Sequence, residues 1–185
     1  MKDYQRQTPQ FSLCGLNCAL CPMHLGRYCP GCGGGEGHQP CAVIRCSQQH
    51  GNIAYCYLCG EYPCERHREL MEYDSFITHK NMINDSERAK RMGMEKYLSE
   101  LDERTKHLKR LLEHYNDGRR KTFFCTAVTL LDIQDIRAVM EQIALNTKPC
   151  SSLKERAALA VGLFRAMSEQ RGVVLELRKK PKKEQ

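Results

Sequence analysis

Residues 14–67 read CGLNCALCPMHLGRYCPGCGGGEGHQPCAVIRCSQQHGNIAYCYLCGEYPCERH. The stretch holds ten of the twelve cysteines: Cys14, Cys18, Cys21, Cys29, Cys32, Cys41, Cys46, Cys56, Cys59 and Cys64. Four histidines, His24, His38, His50 and His67, lie among them. Almost no apolar run interrupts it, so an ordinary hydrophobic core is not expected here. Metal ions bridging thiolates are the expected substitute, because such ligation supplies folding free energy outright. The fold class that follows is mainly α, with an irregular, metal-stabilised Cys-rich N-terminal module of zinc-ribbon or knuckle type and a short C-terminal strand.

The choice of metal over disulfides rests on compartment. The start, Met1 to Gln10, is polar and charged, without the apolar segment of a signal peptide. No apolar run approaches the ~20 residues of a membrane span. Both features predict a cytoplasmic chain without a membrane partner. In a reducing cytosol dense cysteine reads as ligation, whereas in a secreted chain it reads as disulfides.

Spacing within the stretch carries more detail. Cys29-Pro-Gly-Cys32-Gly33 and Cys56-Tyr-Leu-Cys59-Gly60 are both C-x2-C-G knuckles. A two-residue gap lets both sulfurs reach one ion. A glycine after it permits a positive-φ turn that aims backbone N–H groups at the thiolates. Cys14-x3-Cys18-x2-Cys21 is a different pattern, suited to a [4Fe-4S] cluster as the alternative cofactor. It also has the spacing of the radical S-adenosylmethionine signature, but the chain after Cys21 is too short and too helical for the barrel such enzymes need. Cys41-x4-Cys46 and Cys59-x4-Cys64 add wider-spaced ligands. His67, three residues after Cys64, offers a mixed site with Cys56, Cys59 and Cys64, whereas His24, His38 and His50 read as solvated loop residues. Ten thiolates fill two four-cysteine sites with two sulfurs over, or three sites with histidine help, so two or three Zn2+ ions are expected. The Gly33-Gly34-Gly35-Glu36-Gly37 run reads as a hinge: no strand precedes it and no Lys-Ser/Thr follows, so it is not a phosphate loop.

From Glu65 the pattern turns helical. A short helix is expected over residues 66–76, and a second capped by Asp85 or Ser86 and interrupted at Gly93. The clearest helix carries Met94, Tyr97, Leu98, Leu101, Leu108, Leu111, Leu112 and Tyr115 at steps of three and four, with one double step. TFFCTAVTLL (residues 122–131) has the β-branched and aromatic content of a strand, but its helical flanks favour a buried helix. Asp132 caps a further helix bearing Ile133, Ile136, Val139, Met140 and Ile143. Ser152 and Glu155 form a capping box for the last one, which ends before Gly172. Val173, Leu175 and Leu177 alternate with Val174, Glu176 and Arg178, predicting a short closing strand. Residues 1–13 read as a frayed arm, with order near Phe11 and Leu13. The domain division expected is a Cys-rich module over 1–67, a helical body over 68–177 and a basic disordered tail over 178–185. Cys125, in an apolar run, reads as a small buried hydrophobe.

The net charge of +7 is concentrated. Arg119, Arg120 and Lys121, together with the tail from Arg178, account for the whole excess. A zinc ion held by four thiolates carries about −2 and would offset part of it. Nucleic-acid binding through the basic trio and the tail, with Phe123 and Phe124 following, is therefore a weaker alternative than raw charge suggests.

The strings CGLNCALCPMHLGRYCPGCGGG, CYLCGEYPCERH and YNDGRRKTFFCTAVTLL together resemble an uncharacterised prokaryotic family, catalogued as domain-of-unknown-function family 3795. The resemblance spans Cys14 to about Leu177. It implies a zinc-ribbon module whose ligands are the ten cysteines named above, and it carries neither an activity nor catalytic residues; His67 is not part of its pattern. The function expected is thus metal binding, with zinc first, in an interaction or adaptor protein with a protein partner. An iron–sulfur redox or sensor protein is the alternative. No Ser–His–Asp or Cys–His constellation stands out in the helical part.

Overall fold

Helical periodicity governs the chain beyond the cysteines, and the computed structural model, which describes residues 4–38 and 40–181, bears this out. Among the described residues eight α-helices follow one another: α1 (Pro22–Leu25), α2 (Ala42–Gln49), α3 (Glu65–Glu72), α4 (Met82–Met92), α5 (Met94–His114), α6 (Lys121–Leu130), α7 (Ile133–Asn146) and α8 (Leu153–Gln170). Single 3-10 turns occupy Cys18–Leu20 and Cys56–Leu58. The chain divides into one compact unit that runs up to Ser99 and resumes at Leu177, and a second over Glu100–Glu176.

In the second unit the apolar stripes read from sequence are the buried faces. Leu101, Leu108 and Leu111 of α5, and Tyr115 just past its end, are all buried. The double step between Leu101 and Leu108 is filled by Arg104, which is itself buried. Its guanidinium donates through Nη1 to the carbonyls of Val128 and Leu131, each at 2.7 Å, and through Nε to Glu100 Oε1 at 2.8 Å. Arg104 thus satisfies carbonyls that the end of α6 leaves open. The 122–131 run is helical despite its β-branched content. Phe124, Cys125, Ala127 and Val128 are buried, while Thr126 and Thr129 return their hydroxyls to the carbonyls of Thr122 and Cys125. Asp132 caps α7 by accepting from the Gln134 N–H, and Ser152 and Glu155 form the reciprocal capping box of α8.

Five sequence expectations are corrected. The closing strand is absent: residues 173–177 are irregular, and the only β-bridge among the described residues joins Gln5 and Gly34. Alternation alone does not make a strand without a partner edge. Helix α4 begins at Met82, before the expected Asp85 or Ser86 cap, because both of those side chains are drawn inward and buried. The first residues are not a loose arm. Arg6 N–H donates to the Gly33 carbonyl, Pro9 accepts from Cys32 N–H, and Phe11 is fully buried; residues 1–3 lie outside the described residues. The tail expected to be disordered from residue 178 starts with Arg178, which is bound to Asp74, and 182–185 lie outside the described residues.

The fifth correction concerns the core of the first unit. An apolar cluster exists there: Leu13, Cys14, Cys32, Val43, Ile44 and Met82 are buried together, with Leu16, Cys18, Cys41, Cys56, Leu70 and Met71 packed against them. Its members come singly or in adjacent pairs, and several come from beyond residue 67, so no run announces them. Side chains of this kind stabilise by about 1.5–3 kcal/mol each on full burial. The cysteines are constituents of this core as well as candidate ligands. A second group extends it: Phe11 packs on Tyr97 with ring centroids 4.7 Å apart and on Tyr55 at 5.8 Å, and Tyr55 stacks on Tyr57 at 5.2 Å.

Candidate metal centre

All twelve cysteines are free thiols. Nine of the ten in the first unit gather into two neighbouring sets. One comprises Cys14, Cys18, Cys32 and Cys41, with Cys21 beside Cys18: the sulfurs of Cys32 and Cys41 bear on Cys14, those of Cys32, Cys14 and Cys21 on Cys18, and that of Cys41 on Cys32. Burial, reinforced by these neighbours, pushes Cys14 up to about 11 and raises Cys18 and Cys32. Ser12 holds Cys14 at an Oγ–Sγ distance of 3.0 Å, while its own oxygen accepts from the Leu16 N–H at 2.7 Å.

The other set is Cys46, Cys56, Cys59 and Cys64. Cys46 rides on α2, Cys56 and Cys59 bracket the 3-10 turn, and Cys64 is the residue before α3. All four line one cavity of about 40 Å³, shared with Leu13, Ser47, His50, Ile53, Glu61 and Tyr62. Burial first, and then the nearby sulfurs of Cys14, Cys64, Cys46 and Cys59, push Cys56 up to about 12. A thiol so placed stays protonated unless a cation takes the charge. The backbone fixes this corner through Cys56 N–H, which donates to the Leu13 carbonyl at 2.7 Å.

The sequence pairing of Cys41 with Cys46 is resolved by helix geometry. Cys41 precedes α2 and Cys46 lies five residues on, about 140° around the helix, so the two serve different sets. Cys59 and Cys64 do share a cavity, as their spacing suggests. Of the two knuckle glycines, Gly33 has the positive φ expected, at 72°, but Gly60 does not. Cys29 lines a separate surface hollow of about 260 Å³ with His24, Tyr28 and Glu36.

His67 does not line the cavity. It is buried, its Nε2 donates to the Cys14 carbonyl at 2.9 Å, and its ring meets Tyr62 edge-on at 5.0 Å. Burial lowers its pKa, which keeps the ring neutral. Its Nδ1 is buried without a hydrogen-bond partner among the described residues. His50 is exposed, yet it lines the cavity, with Nδ1 2.8 Å from the Cys46 carbonyl and 3.7 Å from Cys46 Sγ. Neither His50 nor Tyr62 was signalled by spacing. Each reaches the site only because the turn and α2 bring it there.

The donor set fits a thiolate-ligated metal in kind: four cysteines line one small, half-open pocket. Among the described residues no three Cys, His, Asp or Glu side chains stand close enough to hold one ion. The basic trio of the alternative reading is tied into the start of α6. Arg120 Nε lies 3.3 Å from Asp117 Oδ2, Arg119 and Arg120 N–H groups donate to Asp117 and Asn116, and Phe124 is fully buried. Among the described residues no helix is long and apolar enough to cross a membrane. No family model, no curated protein and no solved structure matches this chain.

Proposed function

We propose that this is a metal-binding protein whose Cys-rich unit holds metal through cysteine thiolates, with zinc the expected ion, and which serves as an interaction module. One observation carries the reading: Cys46, Cys56, Cys59 and Cys64, from three separate elements, line a single half-open pocket. A second thiol set around Cys14, Cys18, Cys32 and Cys41 lies in the same apolar cluster as Cys56. Uncharged buried thiols gain little from such crowding, whereas a cation stabilises all of the anionic sulfurs at once. Sets made of thiolates alone are the ligands of structural zinc; catalytic zinc keeps three protein ligands and a water. This chemistry supports an organising centre over a reactive one, and it agrees with the zinc ribbon implied by the family resemblance.

Exposed Leu58, inside the Cys56–Cys59 turn, and exposed Phe76 are apolar side chains of this unit that a protein partner would cover. The test is elemental analysis of protein purified under anaerobic conditions, combined with Cys64→Ser. Bound metal that falls in the variant supports the reading. A metal-free wild type, or a content unchanged by the variant, overturns it.

A further inference from the structure

Resting on the reading that this unit ligates metal through thiolates, we infer that His67 is a positioning residue that couples the two thiol sets, so that its loss weakens metal binding at both although it ligates neither ion. Two consecutive carbonyls carry the inference. The Leu13 carbonyl accepts from the Cys56 N–H at 2.7 Å, and the Cys14 carbonyl accepts from His67 Nε2 at 2.9 Å. Cys14 belongs to one set and Cys56 to the other. His67 stands in the first turn of α3, the helix that Cys64 precedes, and its own N–H donates to the Cys64 carbonyl at 3.0 Å. One residue therefore ties a cysteine of the second set to a cysteine of the first.

The surroundings favour positioning over ligation. A carbonyl only accepts, so Nε2 carries the ring proton and is spent on Cys14. The ring is buried and meets Tyr62 edge-on at 5.0 Å. Tyr62 lines the pocket with the four cysteines of the second set, whereas His67 does not. Cys14 is held at its other end too, because Ser12 Oγ lies 3.0 Å from its Sγ. Groups that orient ligands in this way matter nearly as much as the ligands, and removing one costs about 10–100-fold in metal affinity. Without the His67 donor the Cys14 carbonyl is left unpaired beside the apolar cluster that holds Cys14, a loss that falls on the turn carrying the first set.

Zinc competition on the full chain, purified anaerobically, tests this with substitutions that part the hydrogen bond from the packing. His67→Gln keeps an N–H donor without the ring, and His67→Phe keeps a ring without the donor. Against a chromophoric chelator, His67→Phe should lose about 10–100-fold in affinity for all the zinc that the wild type binds, and His67→Gln should recover most of it. At saturating zinc both should carry the wild-type number of ions, with sulfur-only shells by X-ray absorption. Wild-type affinity in His67→Phe overturns the inference, as does a loss confined to part of the bound zinc. A nitrogen ligand present in the wild type and gone from His67→Gln makes His67 a ligand, which overturns the positioning role and leaves metal binding standing. A metal-free wild type overturns the underlying reading. Where His67→Phe fails to fold, NMR of the wild type decides, because coupling is reciprocal. The His67 Nε2 proton should exchange with solvent faster once the chelator strips the zinc, and equal rates with and without zinc overturn the inference.

Discussion

The Tyr97 hydroxyl donates to Asn17 Oδ1 at 2.9 Å, joining the first turn of α5 to the loop between Cys14 and Cys18. Asn17 is buried, and its Nδ2 donates in turn to Asp85 Oδ2 on α4 at 2.9 Å. One amide between two cysteines therefore fixes two helices that sequence assigns to a different domain. Removing one partner of a buried hydrogen bond costs about 1–3 kcal/mol. Tyr97→Phe should destabilise by that amount in urea unfolding, and Asn17→Ala by more, since it abandons both partners. If Tyr97→Phe proves neutral, the bond does not hold the unit.

Gly15, between Cys14 and Leu16, has φ of +95°, and a Cβ placed there meets the Met82 carbonyl and Ser86 Oγ of α4. Both the backbone conformation and the close approach require glycine. Gly15→Ala should cost about 2–4 kcal/mol, combining left-handed strain with overpacking. A chemical denaturation midpoint unchanged from the wild type would show that α4 does not seat on this turn.

Arg104 is buried and feeds the Val128 and Leu131 carbonyls and Glu100. Arg104→Met keeps much of the volume but strands two carbonyls and a carboxylate. The expected loss is about 3–5 kcal/mol, as for the breaking of a buried ion pair. Arg104→Lys should recover only part of it, because an ammonium lacks the fork that reaches several acceptors. Thermal unfolding of the two variants against wild type measures both differences.

Asp74 ties the returning chain to the first unit. Its carboxylate accepts from Arg178 Nη2 at 2.9 Å, Arg178 N–H at 2.7 Å and His79 N–H at 2.8 Å. Burial alone would raise its pKa, but these donors outweigh it and the net shift is downward. The sign follows from linkage. With the folded pKa depressed, the contribution is fully present above the unfolded value of about 3.9 and is lost as pH falls through the lower folded value. Asp74→Asn should remove that part of the acid-limb slope below about pH 5 and cost about 1–3 kcal/mol at neutral pH. An unchanged acid limb would place the bond outside the folding equilibrium.

Much of the second unit was legible from sequence because each helix advertises itself locally. The stripe on α5, the Asp132 cap and the Ser152–Glu155 box are all within-helix patterns, and each is found where the pattern put it. Even the missing step at Arg104 was visible as a gap, though nothing local says that its side chain turns inward. The first unit was harder. Its core is assembled from single residues such as Phe11, Leu13, Ile44 and Met82, which no periodicity links. The ten cysteines were visible at once, but their partition was not. Cys46 joins Cys56, Cys59 and Cys64 only because α2 turns it away from Cys41, and His67 is claimed by the Cys14 carbonyl and not by the cavity. The strand expected over 173–177 failed for the opposite reason: alternation was present and the pairing edge was not.

The central claim is that sulfur anions in the first unit are held by metal. Metal-to-protein stoichiometry, measured by mass spectrometry on the full chain after anaerobic purification, tests it most directly. The account predicts metal bound by the cysteines of both sets, with those thiols unreactive until a chelator or acid releases it. A chain free of zinc and iron, with ten reactive thiols and the unit still folded, would contradict it.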